Sequence, residues 1–243
     1  MKIIKLNAID STSSFLKELS KNSKIENYTV VTANEQTKGR GQQTNTWVSE
    51  PNKNLTLSVF IADLKLKISD QKYLNFAVSL AVFDLLSNLK INGLRIKWPN
   101  DIMSVNQKIC GILIENAIRN NQIQSSIIGI GLNVNQVVFP TFLKHASSLK
   151  LLTNKDYNLE VLLEDLLGCL KKRIALLHNN AYLPLETNYL NVLYKKNSPT
   201  MFKDSQAHLF MGKIIGISSL GNLLIELENE TVKEFGIKEV SLA

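Results

Sequence analysis

The sequence predicts an α+β fold: helices packed on a mostly antiparallel sheet, with a small β-barrel at the C-terminal end. Three observations carry that prediction. Short apolar strands crowd the stretch from Leu94 to Asn135, and the turns between them are too short for parallel crossovers. Two long stretches flanking that region carry apolar residues at helical spacing. Beyond Asn197-Ser198-Pro199 the chain holds only short strands and turns, which suits an appended barrel. The expected division is residues 1–196 as one domain and 197–243 as a second.

The elements follow in order. Asp10-Ser11-Thr12 is a helix start, and Phe15, Leu16 and Leu19 supply its apolar face. Tyr28 to Thr32 reads as a buried strand. NLTLSVFI, Asn54 to Ile61, alternates Leu55, Leu57, Val59 and Ile61 on one face. Residues 70–90 place Leu74, Ala77, Ala81, Leu85 and Leu89 at helical spacing. Strands are then expected at LRIKW, DIMSV, QKICGILIENAI and QSSIIGIGLNVN, divided by polar turns at Asn106-Gln107 and Asn120-Asn121. A second long helix spans 158–178 through Leu162, Leu166, Leu170 and Ile174, and a shorter one 184–194. HLFMGKIIGIS, LLIELE and TVKEFG complete the chain as strands.

Composition narrows the class. At 243 residues the chain buries a sizeable core, and 44% hydrophobic with 20% charged residues is ordinary for a globular protein. No apolar run approaches the roughly 20 residues that cross a bilayer. The start, MKIIKLNAIDSTSS, lacks the roughly 7–15-residue apolar centre of a signal peptide, so a cytoplasmic location is expected. Cys110 and Cys169 form no CxxC pair, and His145, His178 and His208 are scattered, which argues against a disulfide framework or a metal-ligand cluster. Any metal is expected to arrive with a ligand, as in a magnesium–nucleotide complex. The net charge of +7 suits an acidic partner. Its lysines are spread out, without the basic cluster and interleaved aromatics of a nucleic-acid reader, so a solvated lysine surface is preferred.

Four stretches carry polar or glycine residues where a core would not place them. In KGRGQQTNTW, Lys38 to Trp47, Gly39 and Gly41 let backbone N–H groups approach an anion. Arg40 between them adds a planar fork for carboxylate or phosphate oxygens. GxxxxGK[ST] is absent, so this is no Walker A loop, and an ordinary surface turn explains the same residues. KWPNDI sets Asn100 and Asp101 just after a buried strand, where a plain Pro-Asn-Asp turn competes. In KICGILIE, alternation puts Lys108, Cys110 and Ile112 on one face and Ile109, Gly111 and Leu113 on the other. Gly111 marks close approach of a ligand or another backbone. Lys108 suits a developing negative charge, or else is a strand-end lysine reaching solvent. GIGLNVN lacks the third glycine of a Rossmann loop and no helix pattern follows. Gly129 and Gly131 again imply something flat against the sheet, with Asn133 and Asn135 at its end.

In this order and spacing, the glycine–arginine loop ending in tryptophan, KWPND, KxxGILxE and GxGxNVN closely resemble the biotin–protein ligases, over nearly the whole chain. Asp10-Ser11-Thr12 is similar to that family's DST element, and EVSL, Glu239 to Leu242, to the end of its C-terminal SH3-like barrel. The resemblance implies a catalytic domain similar to the class II aminoacyl-tRNA synthetases. It also implies two reaction steps. The biotin carboxylate attacks the α-phosphate of magnesium–ATP, giving biotinyl-5′-AMP and pyrophosphate. The ε-amine of one lysine on a biotin carboxyl carrier protein then attacks the mixed anhydride and releases AMP.

The same resemblance implies site residues. Lys108 contacts the biotin carboxyl oxygen and the α-phosphate, and Arg40 helps offset the repulsion between the two anions. Ser11, Thr12 and Gln36 match positions that hydrogen-bond the ureido ring. Gly111, Gly129 and Gly131 leave flat room for the bicyclic ring and its tail, and Gly39, Arg40 and Gly41 border it. Gln42, Trp47 and Asn133 join Arg40 and Lys108 on the adenylate side, Asn133 near the adenine. Asp101 lies where a carboxylate orients or deprotonates the incoming lysine, with a structural turn as competitor. The loop is expected to close over the adenylate, mobile when empty and ordered when filled.

Two departures from the family pattern matter. The loop usually reads GRGRxGRxW; here Gln42 and Asn45 stand where arginines are common, and Thr44 where glycine is usual. Charge-assisted hydrogen bonds are roughly twice as strong as neutral ones, so phosphate neutralisation is expected to lean on Arg40, Lys108 or Lys38, with a weaker hold on the adenylate. The DST element begins at Asp10, so no DNA-binding domain is expected ahead of it. A lipoate–protein ligase of the same fold is the rival, though its RRxxGGG-type region and pocket histidine are missing. A non-catalytic biotin-sensing module is a further alternative, against which Lys108 and Arg40 argue. Monomer and homodimer both stay open.

Overall fold

Residues 1–42 and 45–243 are described by the computed structural model, and their strands form two sheets. Strand β1 (Ile3–Ile9) pairs in parallel with β2 (Thr29–Gln36), joined by helix α1 (Thr12–Asn22), whose first turn Ser11 caps by accepting from Ser14 N–H. Then come β3 (Leu55–Lys67), helix α2 (Gln71–Asn88), β4 (Leu94–Lys97), β5 (Asp101–Ser104), β6 (Gln107–Arg119) and β7 (Gln122–Leu132). They complete a seven-stranded sheet in the order β1-β2-β3-β7-β6-β5-β4, antiparallel from β2 onward. The short connections that predicted antiparallel neighbours were a sound guide, because so few residues cannot carry a chain back for parallel pairing.

One face of this sheet is thickly covered. Helix α2 is buried on nearly all sides, because it lies between the sheet and α4 (Leu159–His178). The stripe from Leu74 to Leu89 expected from sequence is one face of it; Phe76, Val78 and Val82 bury the others. Arg173 of α4 forks onto Asp84 of α2 at 2.7 and 2.8 Å. Helix α3 (Leu149–Thr153) precedes α4, and α5 (Tyr182–Asn191) follows, stacking Tyr189 on Phe76 at 4.1 Å. Helix α5 starts two residues before the expected 184, since Pro184 fits a first turn, where no N–H is missed.

Among the described residues, α1 is the one helix on the opposite face, and it seals a small core of Leu16, Val31 and Ile127. Beside α1 that face meets the Lys38–Trp47 loop, and there the cleft forms.

The second sheet holds β8 (Pro199–Asp204), β9 (Leu209–Ile217), β10 (Leu223–Leu227), β11 (Val232–Phe235) and β12 (Val240–Leu242). Its order is β11-β10-β9-β8-β12, antiparallel throughout, with β11 and β12 at its ends. Phe202, Ile214 and Leu223 belong to the same continuous apolar core as α2 and α4. Trp98 Nε1 donates to Gly221 O at 3.0 Å and Lys72 Nζ to Ser218 O at 3.3 Å, tying the β9–β10 turn to the segment after β4 and to α2.

Strand alternation fails at one point in β6. The pairing with β5 jumps from Ile102↔Cys110 to Met103↔Lys108, so Ile109 is an extra residue. Such a bulge turns two successive side chains the same way. Ile109 and Cys110 both enter the core, fully buried, and burial pushes the Cys110 thiol up. Lys108 therefore comes onto the face of Gly111, with its Cε and Nζ each 3.4 Å from where a Gly111 Cβ would stand. This corrects the grouping of Lys108 with Cys110 and Ile112 and of Gly111 with Ile109. Among the described residues, no helix is long and apolar enough to cross a membrane.

Leu166 of α4 is completely buried in the core. Leu166→Ala is expected to lower the unfolding free energy by about 2–5 kcal/mol, measured by denaturant titration.

Candidate active site

The cleft floor is bare backbone. Gly111 of β6 pairs directly with Gly131 of β7, and Gly129 lies two residues along the same face. Trp47 lies on that floor. A Cβ at Gly131 would run into Cε2 and Nε1 of the indole, and one at Gly111 would stand 2.9 Å from Cζ3. A Cβ at Gly129 would come within 2.6 Å of Ser13 Oγ, so this glycine makes room for a hydroxyl. The flat space expected for a ligand is thus shared with the protein's own indole, whose buried Nε1 has no hydrogen-bond partner among the described residues.

Beside the floor runs a row of hydroxyls with a defined direction. Thr12 N–H donates to Gln36 Oε1 at 2.8 Å, which fixes which amide atom faces it. Thr12 Oγ1 donates to the same oxygen at 3.1 Å. Its one hydrogen is then engaged, so Thr12 Oγ1 accepts from Ser58 Oγ at 2.8 Å, and Ser58 accepts from Ser13 Oγ at 2.8 Å. Gln36 Nε2 turns away from Thr12, toward Gly39. The row therefore offers acceptor lone pairs at Ser13 and amide donors at Gln36.

The cations are already paired. Arg40 donates Nη1 to Glu115 Oε2 at 2.9 Å and Nη2 to Oε1 at 3.1 Å, and Lys17 Nζ reaches the same Oε1 at 2.8 Å. Burial pushes the Glu115 carboxyl up, but the hydrogen bonds and charges of Arg40 and Lys17 outweigh it and hold the group below its ordinary range. Lys108 Nζ lies 2.7 Å from Asp101 Oδ1 and 5.6 Å from the centroid of the Trp47 ring. The Lys108–Asp101 contact is ionic rather than an aligned hydrogen bond, since Asp101 Oδ1 is buried without a hydrogen-bond partner among the described residues.

The loop folds as a small hairpin. Arg40 bridges Thr46, Gly41 N–H donates to Asn45 O at 2.8 Å, and Trp47 N–H to Gly39 O at 2.9 Å. Gly39 lies directly against the Trp47 carbonyl, where a side chain has no space. Thr44 lies outside the described residues. On the far wall, Asn100 is fixed by two bonds to Ile112, N–H to Asn100 O at 3.0 Å and Asn100 Nδ2 to Ile112 O at 2.6 Å. Asn75 of α2 donates to Pro99 O at 2.7 Å. The Pro-Asn-Asp turn is therefore both a structural brace and the mount for Asp101.

The space left encloses about 130 Å³. Ser11, Thr12, Gln36, Arg40, Gly41 and Gln42 line it from one side; Trp47, Asp101, Lys108 and the three floor glycines line it from the other. Gly39 and Asn133 lie outside the lining. Asn133 is buried beneath β7's end, donating Nδ2 to Ser147 O at 2.9 Å, with Oδ1 unpartnered among the described residues. Ser13, Ser58 and Glu115 are the functional neighbours that sequence reasoning passed over. Glu115 was visible as the last residue of KICGILIE, and Ser58 as a polar residue within a strand buried on both faces. No group of three or more His, Cys, Asp or Glu gathers for a metal among the described residues.

Comparison with known proteins gives a consistent result. A family model described as "Biotin/lipoate A/B protein ligase family" matches residues 6–133. The bifunctional ligase/repressor BirA of Bacillus subtilis is 30% identical over 242 residues, which cover 96% of this chain and 72% of that protein. The biotin–[acetyl-CoA-carboxylase] ligase of Mycobacterium tuberculosis is 33% identical over 112 residues, 44% of this chain and 40% of its own. The structure of biotin protein ligase from Aquifex aeolicus in complex with biotin and ATP is similar at TM-score 0.82 and 26% identity, covering 100% of this chain and 98% of that one.

Gly131→Ala is expected to lift the Trp47 indole from the floor and shift tryptophan emission to longer wavelength. The shift should vanish in a Trp47→Phe background, where Trp98 alone emits.

Proposed function

This chain belongs to the biotin/lipoate A/B protein ligase family as a biotin–protein ligase, and we propose that it activates biotin with ATP and passes it to one lysine of a biotin carboxyl carrier protein. The observation that carries the reading is the meeting of Arg40 and Lys108, from separate segments, over a glycine floor beside the hydroxyl–amide row. Joining a carboxylate to a phosphate requires fixed cations between two anions. A ureido ring requires paired donors and acceptors, and the Gln36 amide with the Ser11 to Ser13 hydroxyls supplies them.

In the first step the biotin carboxylate oxygen bonds to the α-phosphorus and the bond to the leaving pyrophosphate breaks. Lys108 steadies the charge on the joined oxygens, and Arg40 the charge on the phosphates. Magnesium, carried by the nucleotide, neutralises part of the phosphate charge. Asn133, expected near the adenine, lies buried outside the cleft lining, so an adenine reaches its Oδ1 only if the end of β7 is uncovered. In the second step the carrier lysine's amine attacks the acyl carbon and AMP leaves. Asp101 borders both the cleft and a cavity of about 530 Å³ toward the second sheet, so an amine arriving from that side meets this carboxylate first.

Ligand pockets usually measure roughly 300–1,000 Å³, so the 130 Å³ cleft must open for substrate, and the loop bearing Trp47 is the part that moves. Its return over the adenylate would exclude water. We read the five-stranded C-terminal sheet as the SH3-like barrel of the family, and the cytoplasm as the working compartment.

A transfer assay with biotin, magnesium–ATP and a purified carrier domain tests the reading, with lipoate as the competing acid. Biotin is the acid expected to be transferred. Lys108→Ala is expected to lower kcat by about 10²–10³-fold, the range for losing one preorganised oxyanion donor. Transfer of lipoate instead, or unaltered turnover by Lys108→Ala, would refute the assignment. In a second assay, without carrier, Gln42→Arg is expected to slow release of the adenylate. Equal release rates would sink the idea that the neutral loop holds it weakly.

A further inference from the structure

Glu115 stands behind Arg40, outside the cleft lining, with its side chain only 20% exposed. A carboxylate close to an anion-binding site repels the anion, so its presence there needs a compensating use. The contacts identify one. Glu115 joins three walls of the cleft: its own strand β6, the loop through Arg40, and α1 through Lys17. The fork onto Arg40 is bidentate, which fixes the plane of the guanidinium as well as its distance. That pairing uses two of the five N–H donors of the guanidinium, and three remain for an incoming anion. Arg40 can therefore bind phosphate without letting go of Glu115.

We propose that Glu115 is a positioning residue that aims Arg40 at the nucleotide phosphates and fixes the loop hairpin to the sheet. The proposal rests on the ligase reading for the identity of the anion. Its weight in this chain is greater because Gln42 and Asn45 are neutral, so one guanidinium serves the loop. The carboxyl, held below its ordinary range, stays ionised at neutral pH, which keeps the clamp in force under working conditions.

The test is the sign of one effect. Simple electrostatics predicts that Glu115→Gln, which removes a negative charge near the phosphates, lowers KM for magnesium–ATP. Positioning predicts the reverse, a rise of about tenfold in biotin-dependent ATP–pyrophosphate exchange. Because the residue acts through Arg40, the same substitution is expected to change nothing further in an Arg40→Ala background. Backbone amide exchange across Lys38–Trp47 is expected to quicken in Glu115→Gln while the core helices stay protected. A KM that falls or holds, an equal rise in the Arg40→Ala background, or unaltered loop exchange would overturn the proposal. Failure of the ligase reading shows separately, as wild-type protein without biotin-dependent exchange, and the amide-exchange result still decides whether Glu115 fixes the loop.

Discussion

Gly111 pairs with Gly131 across β6 and β7, and the cleft depends on that register. A slip of β7 by one residue would turn Gly129 and Gly131 into the core and bring the side chains of Ile128 and Ile130 into the cleft. The apolar pattern opposes such a slip. Ile128, Ile130 and Leu132 face α2 and α4 on the covered side, and burying them holds β7 in place. A bare floor on one face is thus secured by dense packing on the other. Trp47 can lie flat on the sheet because no Cβ stands beneath it.

The second feature of the site is that its cations are already paired with carboxylates. Arg40 and Lys17 share Glu115, and Lys108 meets Asp101. A cation held by a carboxylate is oriented before any ligand arrives, so less reorganisation is left for the moment of reaction. The two pairs differ in kind. Arg40 is held by a bidentate fork, whereas Lys108 makes a single ionic contact and also faces the Trp47 ring. Both cations keep N–H donors free among the described residues, so an anion reaching Lys108 adds to Asp101 as one reaching Arg40 adds to Glu115.

Much of this was legible in the sequence for local reasons. The helical spacing of Leu162 to Leu177 marks α4, because an amphipathic face repeats with the helix turn. Asp10-Ser11-Thr12 marks the start of α1, because Ser11 caps it. Strand β1 was missed, because IIKLNAI forms it by pairing in parallel with β2 across a helix, a contact no local pattern announces. Strand β3 runs past the expected Ile61 to Lys67, with a register irregularity between Ala62 and Leu66 that breaks the alternation. The bulge at Ile109 has the same character, since it exists only as a mismatch between two strands.

By itself, the sequence determined the periods of the elements, the order of the motifs and the chemical types brought to the site: glycines, hydroxyls, one loop arginine and Lys108. These follow from local rules, where side-chain size, polarity and spacing act over a few residues. Tertiary structure alone decided the partners. Arg40 and Glu115 lie 75 residues apart in the chain, and Thr12 and Ser58 lie 46 apart. The face on which Lys108 emerges was likewise decided by strand pairing. Such contacts arise from register and packing across the sheet, which are cooperative properties of the whole core and belong to no single segment.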